Sequence, residues 1–163
     1  MKVYFAADHA GFELKNQLVA FIRELGHEVE DCGALALDRD DDYPAIVAGA
    51  VRKLSADAAA AKDSRAIVIG ASGQGEAIVA NRFRGVRCAL YYGAPKGEQT
   101  DMSGKQLDMH ASTREHNNAN ALSLGARFLT VDEAKDAVRK WLMQGFSREE
   151  RHTRRIEKID SIA

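Results

Sequence analysis

Apolar residues recur along this chain in short, β-branched runs separated by longer stretches of helical period. Lys2 to Ala7, Glu28 to Cys32, Ala66 to Ile69, Val86 to Leu90 and Ala121 to Leu124 read as strands. Leu14, Leu18, Phe21, Ile22 and Leu25 share one helical face that Gly26 ends, and a second helix runs from Pro44 through Ile46, Val47, Ala50, Val51 and Leu54. A short helix resumes at Glu76 to Ala80, a longer one spans Val131 to Met143, and a last one spans Glu149 to Ile162. Ala56 to Ala61 reads as an alanine-rich connection, and Tyr91 to Ala111 as a long polar loop without a period. Strands alternating with helices predict a doubly wound α/β sandwich, a parallel sheet with helices on both faces. Ligands of such sheets bind beyond the carboxyl ends of the strands. Asp8-His9 and the turn after Ile69 both fall there, so one crevice is expected to hold both.

Length and composition narrow the classes. The chain has 163 residues, 45% hydrophobic and 29% charged, as expected of one globular domain. A net charge of −1 argues against general nucleic-acid binding. Met1 to Ala7 is too short an apolar run for a signal peptide, and no stretch approaches the ~18 apolar residues of a membrane span. Cys32 and Cys88 lie far apart with no CxxC and read as reduced structural thiols, so the expected setting is cytoplasmic.

The chemistry concentrates in AIVIGASGQGEAIVAN, from Ala66 to Asn81. A buried strand, a glycine-rich turn and a helix start aim free backbone N–H groups at an anion. Three known fingerprints fail on it. The dinucleotide pattern is broken at Ile78, a phosphate-loop lysine is replaced by Glu76, and Gln74 stands where a nucleophile elbow needs Gly. Glu76 leaves two readings: a carboxylate serving the helix dipole, or a base working beside N–H donors that hold an enediolate oxygen. Other groups are equally open. Asp8-His9 is a polar turn or a ligand-contacting pair, and His116 is a loop histidine or a general acid. Arg127 follows a strand and is placed to face the same crevice. Arg151, Arg154, Arg155 and Lys158 form a solvated stripe or a phosphate clamp. The acidic run Asp38 to Asp42 lacks a distributed ligand pattern and reads as a solvated loop.

Taken in order, Asp8-His9-Ala10-Gly11-Phe12-Glu13-Leu14-Lys15, Asp42-Tyr43-Pro44, Gly73-x-Gly75 with Ala80-Asn81, Glu115-His116-Asn117-Asn118-Ala119 and Arg151-His152-x-Arg154-Arg155 resemble the type B ribose-5-phosphate isomerases, which share a family with galactose-6-phosphate isomerase subunits. The resemblance runs from Val3 to about Ile159. It implies a Rossmann-like three-layer αβα sandwich with a C-terminal helix reaching a partner subunit. It also implies a homodimer or tetramer with the active site at the subunit boundary, and neither metal nor cofactor. By position Glu76 would be the base, in the branch that carries Gly70 where other members place a catalytic Cys. Ala71, Ser72, Gly73, Gln74 and Gly75 would wrap the enediolate, Ser72 adding a hydroxyl. His116 would open the furanose ring, Asp8 contact the sugar ring, and Asn117 bind a hydroxyl. His9, Arg127, Arg151 and Arg155 would hold the phosphate. The segment from about Gly93 to His110 exceeds the family's usual link; it leaves a six-carbon sugar phosphate open as substrate and supplies His110 as a rival acid. A non-catalytic sugar-phosphate-binding subunit is the remaining alternative.

Overall fold

Alternate residues of the central strands point to opposite faces of one sheet, and each face recruits its own helices. The computed structural model describes residues 1–100, 104 and 106–162. The elements run β1 Lys2–Ala7, α1 Phe12–Glu24, β2 Glu28–Asp31, α2 Tyr43–Ala59, β3 Ser64–Gly70 and α3 Gln74–Ala80. β4 Cys88–Tyr91, α4 Met109–Glu115, β5 Ala121–Gly125, α5 Val131–Met143 and α6 Glu150–Asp160 complete the order. All pairings are parallel, in the order β2-β1-β3-β5-β4. The expected α/β sandwich is therefore present, with β3 at its centre.

Val3, Phe5, Ala7, Ile67, Ile69, Leu122 and Leu124 pack under α1 and α5, where Leu18, Ile22, Val138 and Trp141 close the core. Tyr4, Ala6, Ala66, Val68 and Ala121 pack on the other face against Val47, Ala50, Val51 and Leu54 of α2 and Ala80 of α3. This period-two split explains why β3 is apolar from Ala66 to Ile69: it is buried on both sides. No helix among the described residues is long and apolar enough to cross a membrane. Cys32 and Cys88 are both free.

Four details depart from the sequence reading. Ala56 to Ala59 belong to α2 rather than to a connection, as alanine's helix preference favours. The fourth strand begins at Cys88, because the Arg87 amide is taken by Asn120 Oδ1, just before β5, and the Cys88 amide by Asn81 Oδ1, just after α3. Part of the polar segment is structured. Thr100 and Gln106 form an antiparallel bridge, and Leu107 N donates to Gln99 O at 2.7 Å. α4 then starts where Asp108 accepts from the amides of His110 and Ala111. Residues 101–103 and 105 of that segment lie outside the described residues.

Candidate active site

β1, β3 and β5 are neighbours, so the turns leaving their carboxyl ends meet in one crevice. The turn after β1 supplies Asp8 and His9. Asp8 is buried and its Oδ1 accepts from the amides of Ala10 and Gly11, which fixes the carboxylate at the strand end. The turn after β5 supplies Arg127, whose N–H donates to Ala71 O at 3.1 Å. The turn after β3 is thereby tied to β5, and Ser123 Oγ, donating to Gly73 O at 2.6 Å, tightens the link.

Gly73 takes φ +74°, a left-handed conformation that reverses the chain into α3 and that other residues rarely adopt. The amides of Ser72, Gly73 and Gly75 in this reversal have no protein acceptor among the described residues. Such amides are positioned donors for an oxygen that gains negative charge. Gln74 is exposed at the rim and Ala71 half-buried below it.

Glu76 sits beneath this turn, only 4% exposed. Gly70 makes the space: a Cβ there would lie 2.0 Å from Glu76 Oε1 and 2.2 Å from its Cδ. The carboxylate thus occupies the volume that a side chain at the end of β3 would take. Burial raises the Glu76 pKa; its own backbone N–H opposes this, and the Asp8 charge adds a smaller upward push. A desolvated carboxylate of this kind is a stronger base than one in water.

The acidic run 38–42 is not wholly solvated as expected. Asp41 Oδ1 meets His9 Nδ1 at 2.7 Å and takes the His9 amide at 3.2 Å, leaving the Asp41 side chain 9% exposed. The hydrogen bond to Asp41 raises the His9 pKa, aided by the Asp8 charge and opposed by partial desolvation and by Arg127. His9 is thereby favoured as a cation beside Arg127, a suitable pair for a phosphate. Asp8, His9 and Asp41 offer ligand atoms within 4.8 Å of one another, but His9 and main-chain amides already engage two of the carboxylate oxygens. Asp41 Oδ2 is buried without a partner. The signal for Asp41 was weak because its contact spans 32 residues of sequence.

His116, Asn117, Arg151 and Arg155 lie elsewhere. His116 caps α4 next to the amino ends of β4 and β5, where Asn120 N and Ala121 N donate to Arg87 O. The seven residues of β3 separate the two edges by about 20 Å. His116 meets the last helix at His152. The His116 ring packs on His152 with centroids 4.4 Å apart, and the His152 Nδ1 is 2.8 Å from Ser147 Oγ. Burial and the neighbouring His116 lower the pKa of His152, which favours its neutral form. Asn117 is exposed, Arg151 pairs with Glu149 at 2.8 Å, and Arg155 reaches solvent one helical turn beyond Arg151. His110, the rival acid, is engaged structurally: its Nε2 lies 2.9 Å from Ala137 O and its ring packs on Tyr91.

The chain's relatives match it along nearly its whole length. The sequence model of the ribose/galactose isomerase family matches residues 3–159. A ribose-5-phosphate isomerase B of Mycolicibacterium paratuberculosis is 41% identical over 96% of this chain and 88% of its own. That of Escherichia coli is 34% identical over 99% and 95%. Among solved structures, the Mycoplasma genitalium ribose-5-phosphate isomerase B with bound ribulose 5-phosphate superposes with a TM-score of 0.83 at 30% identity, covering 99% of this chain and 95% of the other. The Thermotoga maritima enzyme gives 0.81 at 34% identity, over 98% and 97%. The chain belongs to the ribose/galactose isomerase family, among its type B ribose-5-phosphate isomerases.

Proposed function

We infer that the chain is an aldose–ketose isomerase interconverting ribose 5-phosphate and ribulose 5-phosphate. The observation that carries the mechanism is the buried Glu76 carboxylate in the space left by Gly70, directly under unpaired amides. On the open-chain aldose, Glu76 takes the proton from C2; the C2–H electrons form the C1–C2 double bond and the carbonyl electrons move to O1. The cis-enediolate is held by the amides of the glycine turn and the Ser72 hydroxyl. Glu76 then returns the proton to C1 while O2 becomes the carbonyl oxygen, its hydroxyl proton passing to O1. Atoms and charge balance without a co-reactant. Asp8 lies at the sugar ring, and His9 and Arg127 take part of the phosphate.

Ring opening and the rest of the phosphate contacts come from a second copy. His116 and Asn117 stand about 20 Å from Glu76 within one chain, beyond the reach of one pentose phosphate. Two copies arranged about a two-fold axis bring one copy's His116, Asn117, Arg151 and Arg155 to the other's Glu76 and repeat the arrangement reciprocally. Ile159 of α6 is 49% exposed and Ile162, two residues past its end, 85% exposed, apolar groups that their own chain does not cover, as suits a helix that reaches a neighbour.

Glu76→Gln keeps the shape and removes the base. Turnover is expected to fall by about 10³-fold, while binding of ribose 5-phosphate, followed by calorimetry, persists. Turnover within tenfold of the parent would exclude Glu76 as the base. A coupled assay with ribose 5-phosphate against allose 6-phosphate and galactose 6-phosphate tests the substrate, with the pentose expected to be preferred.

A further inference from the structure

The edge of the sheet opposite Glu76 holds a cavity of about 510 Å³ where the amino ends of β3 and β4 face the close of α4. Lys62, Arg65, Arg87, Arg114 and Arg148 line it against a single carboxylate, Asp63. Pairing leaves the excess uncancelled. Arg65 meets Asp63 at 2.5 Å, Lys62 meets Asp57 at 3.1 Å, and Arg87 meets Asp160 at 3.4 Å. Arg114 and Arg148 have no carboxylate within 4.0 Å among the described residues.

Two of these guanidinium groups are buried. Arg114 is 3% exposed and donates only to uncharged oxygens, those of Gln144, Asn118 and Ala119. Arg65 is 9% exposed, and its Nε is buried with no acceptor. Burial, with Arg65 and Arg87 nearby, lowers the Arg114 pKa to about 10 although Asp63 opposes the shift. A desolvated cation without a counter-charge is costly, so the arrangement gains from an anion supplied from outside. Arg148 adds a third observation: its backbone has φ +57°, uncommon for a residue with a side chain, and that turn places it at the cavity mouth. None of these groups belongs to the crevice around Glu76 or to the cluster around His116.

We propose that this cavity is a second anion site, built to take a phosphorylated small molecule other than the ribose 5-phosphate bound in the crevice. Planar guanidinium forks match phosphate oxygens two at a time, and the volume falls within the range of small-molecule sites rather than that of a single ion. Arg114 also holds Asn118 Oδ1 and Ala119 O, immediately after His116 and Asn117, so a bound anion stiffens the turn that carries those two residues.

The test is calorimetric titration of the assembled full-length protein with inorganic pyrophosphate, repeated with saturating ribose 5-phosphate. The sites are counted by binding alone, so the outcome is separate from the assignment of Glu76. Two sites per chain are expected, one of which persists when ribose 5-phosphate fills the crevice. Arg148→Ala, at an exposed position, and Arg65→Leu should each weaken the persisting site by more than tenfold while leaving kcat/KM within twofold. If Arg65→Leu fails to fold, Arg148→Ala carries the test alone. A single site fully displaced by ribose 5-phosphate overturns the proposal, and so does a persisting site insensitive to Arg148→Ala. Citrate binding there as tightly as pyrophosphate overturns the phosphate assignment.

Discussion

At the scale of single residues, two buried or half-buried groups set the pH behaviour of the crevice. Asp41 raises the pKa of His9, so the imidazole keeps its proton above its ordinary titration range. Asp41→Asn removes that support. KM for ribose 5-phosphate should rise several-fold at pH 8 and change little at pH 6, where His9 is protonated either way. A ratio of KM values that does not vary with pH would separate Asp41 from phosphate binding. Glu76 has the opposite kind of linkage. Its folded pKa lies above its unfolded one because of burial, so its contribution is greatest below the unfolded value and is lost as pH rises through the folded value. Glu76→Gln stays neutral throughout. The variant should melt higher than the parent at pH 8, with the difference vanishing toward pH 4; thermal unfolding across that range checks it.

At the scale of elements, strands were the legible part of the sequence and α4 the illegible one. β1, β3 and β5 are apolar on both faces and announce themselves as runs; the carboxyl-end turns, with Asp8, His9, Glu76 and Arg127, followed from their placement. Met109–Glu115 has no apolar stripe. It is held by the Asp108 cap, by Arg114 reaching the Gln144 carbonyl, and by Trp141 Nε1 donating to Thr113 Oγ1, none of which has a local signature. Asp41 was missed for the same reason, and the edge of the sheet that receives His116 depends on β5 slipping between β3 and β4. The two histidines at either end of α4 should behave differently. His110→Ala, losing the Ala137 carbonyl and the Tyr91 ring, is expected to lower the melting temperature by a few degrees with catalysis preserved. His116→Ala is expected to keep its stability and to slow turnover of the cyclic sugar more than that of an open-chain substrate. Equal slowing on both substrates would remove ring opening from His116.

At the scale of the whole molecule, the proposed pairing gives each chain two half-sites facing opposite ways. The proposed pairing therefore predicts complementation. Glu76→Gln and His116→Ala chains, each slowed on cyclic ribose 5-phosphate when alone, should recover about a quarter of parental activity when unfolded together in equal amounts and reassembled as dimers. Half of the dimers are then mixed, and each mixed dimer has one site free of both changes. No recovery on mixing, with mixed assemblies present by mass spectrometry, would place the whole site within one chain.

The space shared by Gly70 and Glu76 also constrains how this sequence can drift. With 2.0 Å between a Cβ at position 70 and the Glu76 carboxylate, the two positions cannot both hold side chains aimed at that point. A lineage moving the base from one position to the other has no route through a chain carrying both. It must first lose one base and pass through a weakened enzyme, or change both codons together. Among relatives of this chain, the pair should covary as alternatives: Gly with a carboxylate, or a nucleophilic side chain with a residue that leaves the space clear.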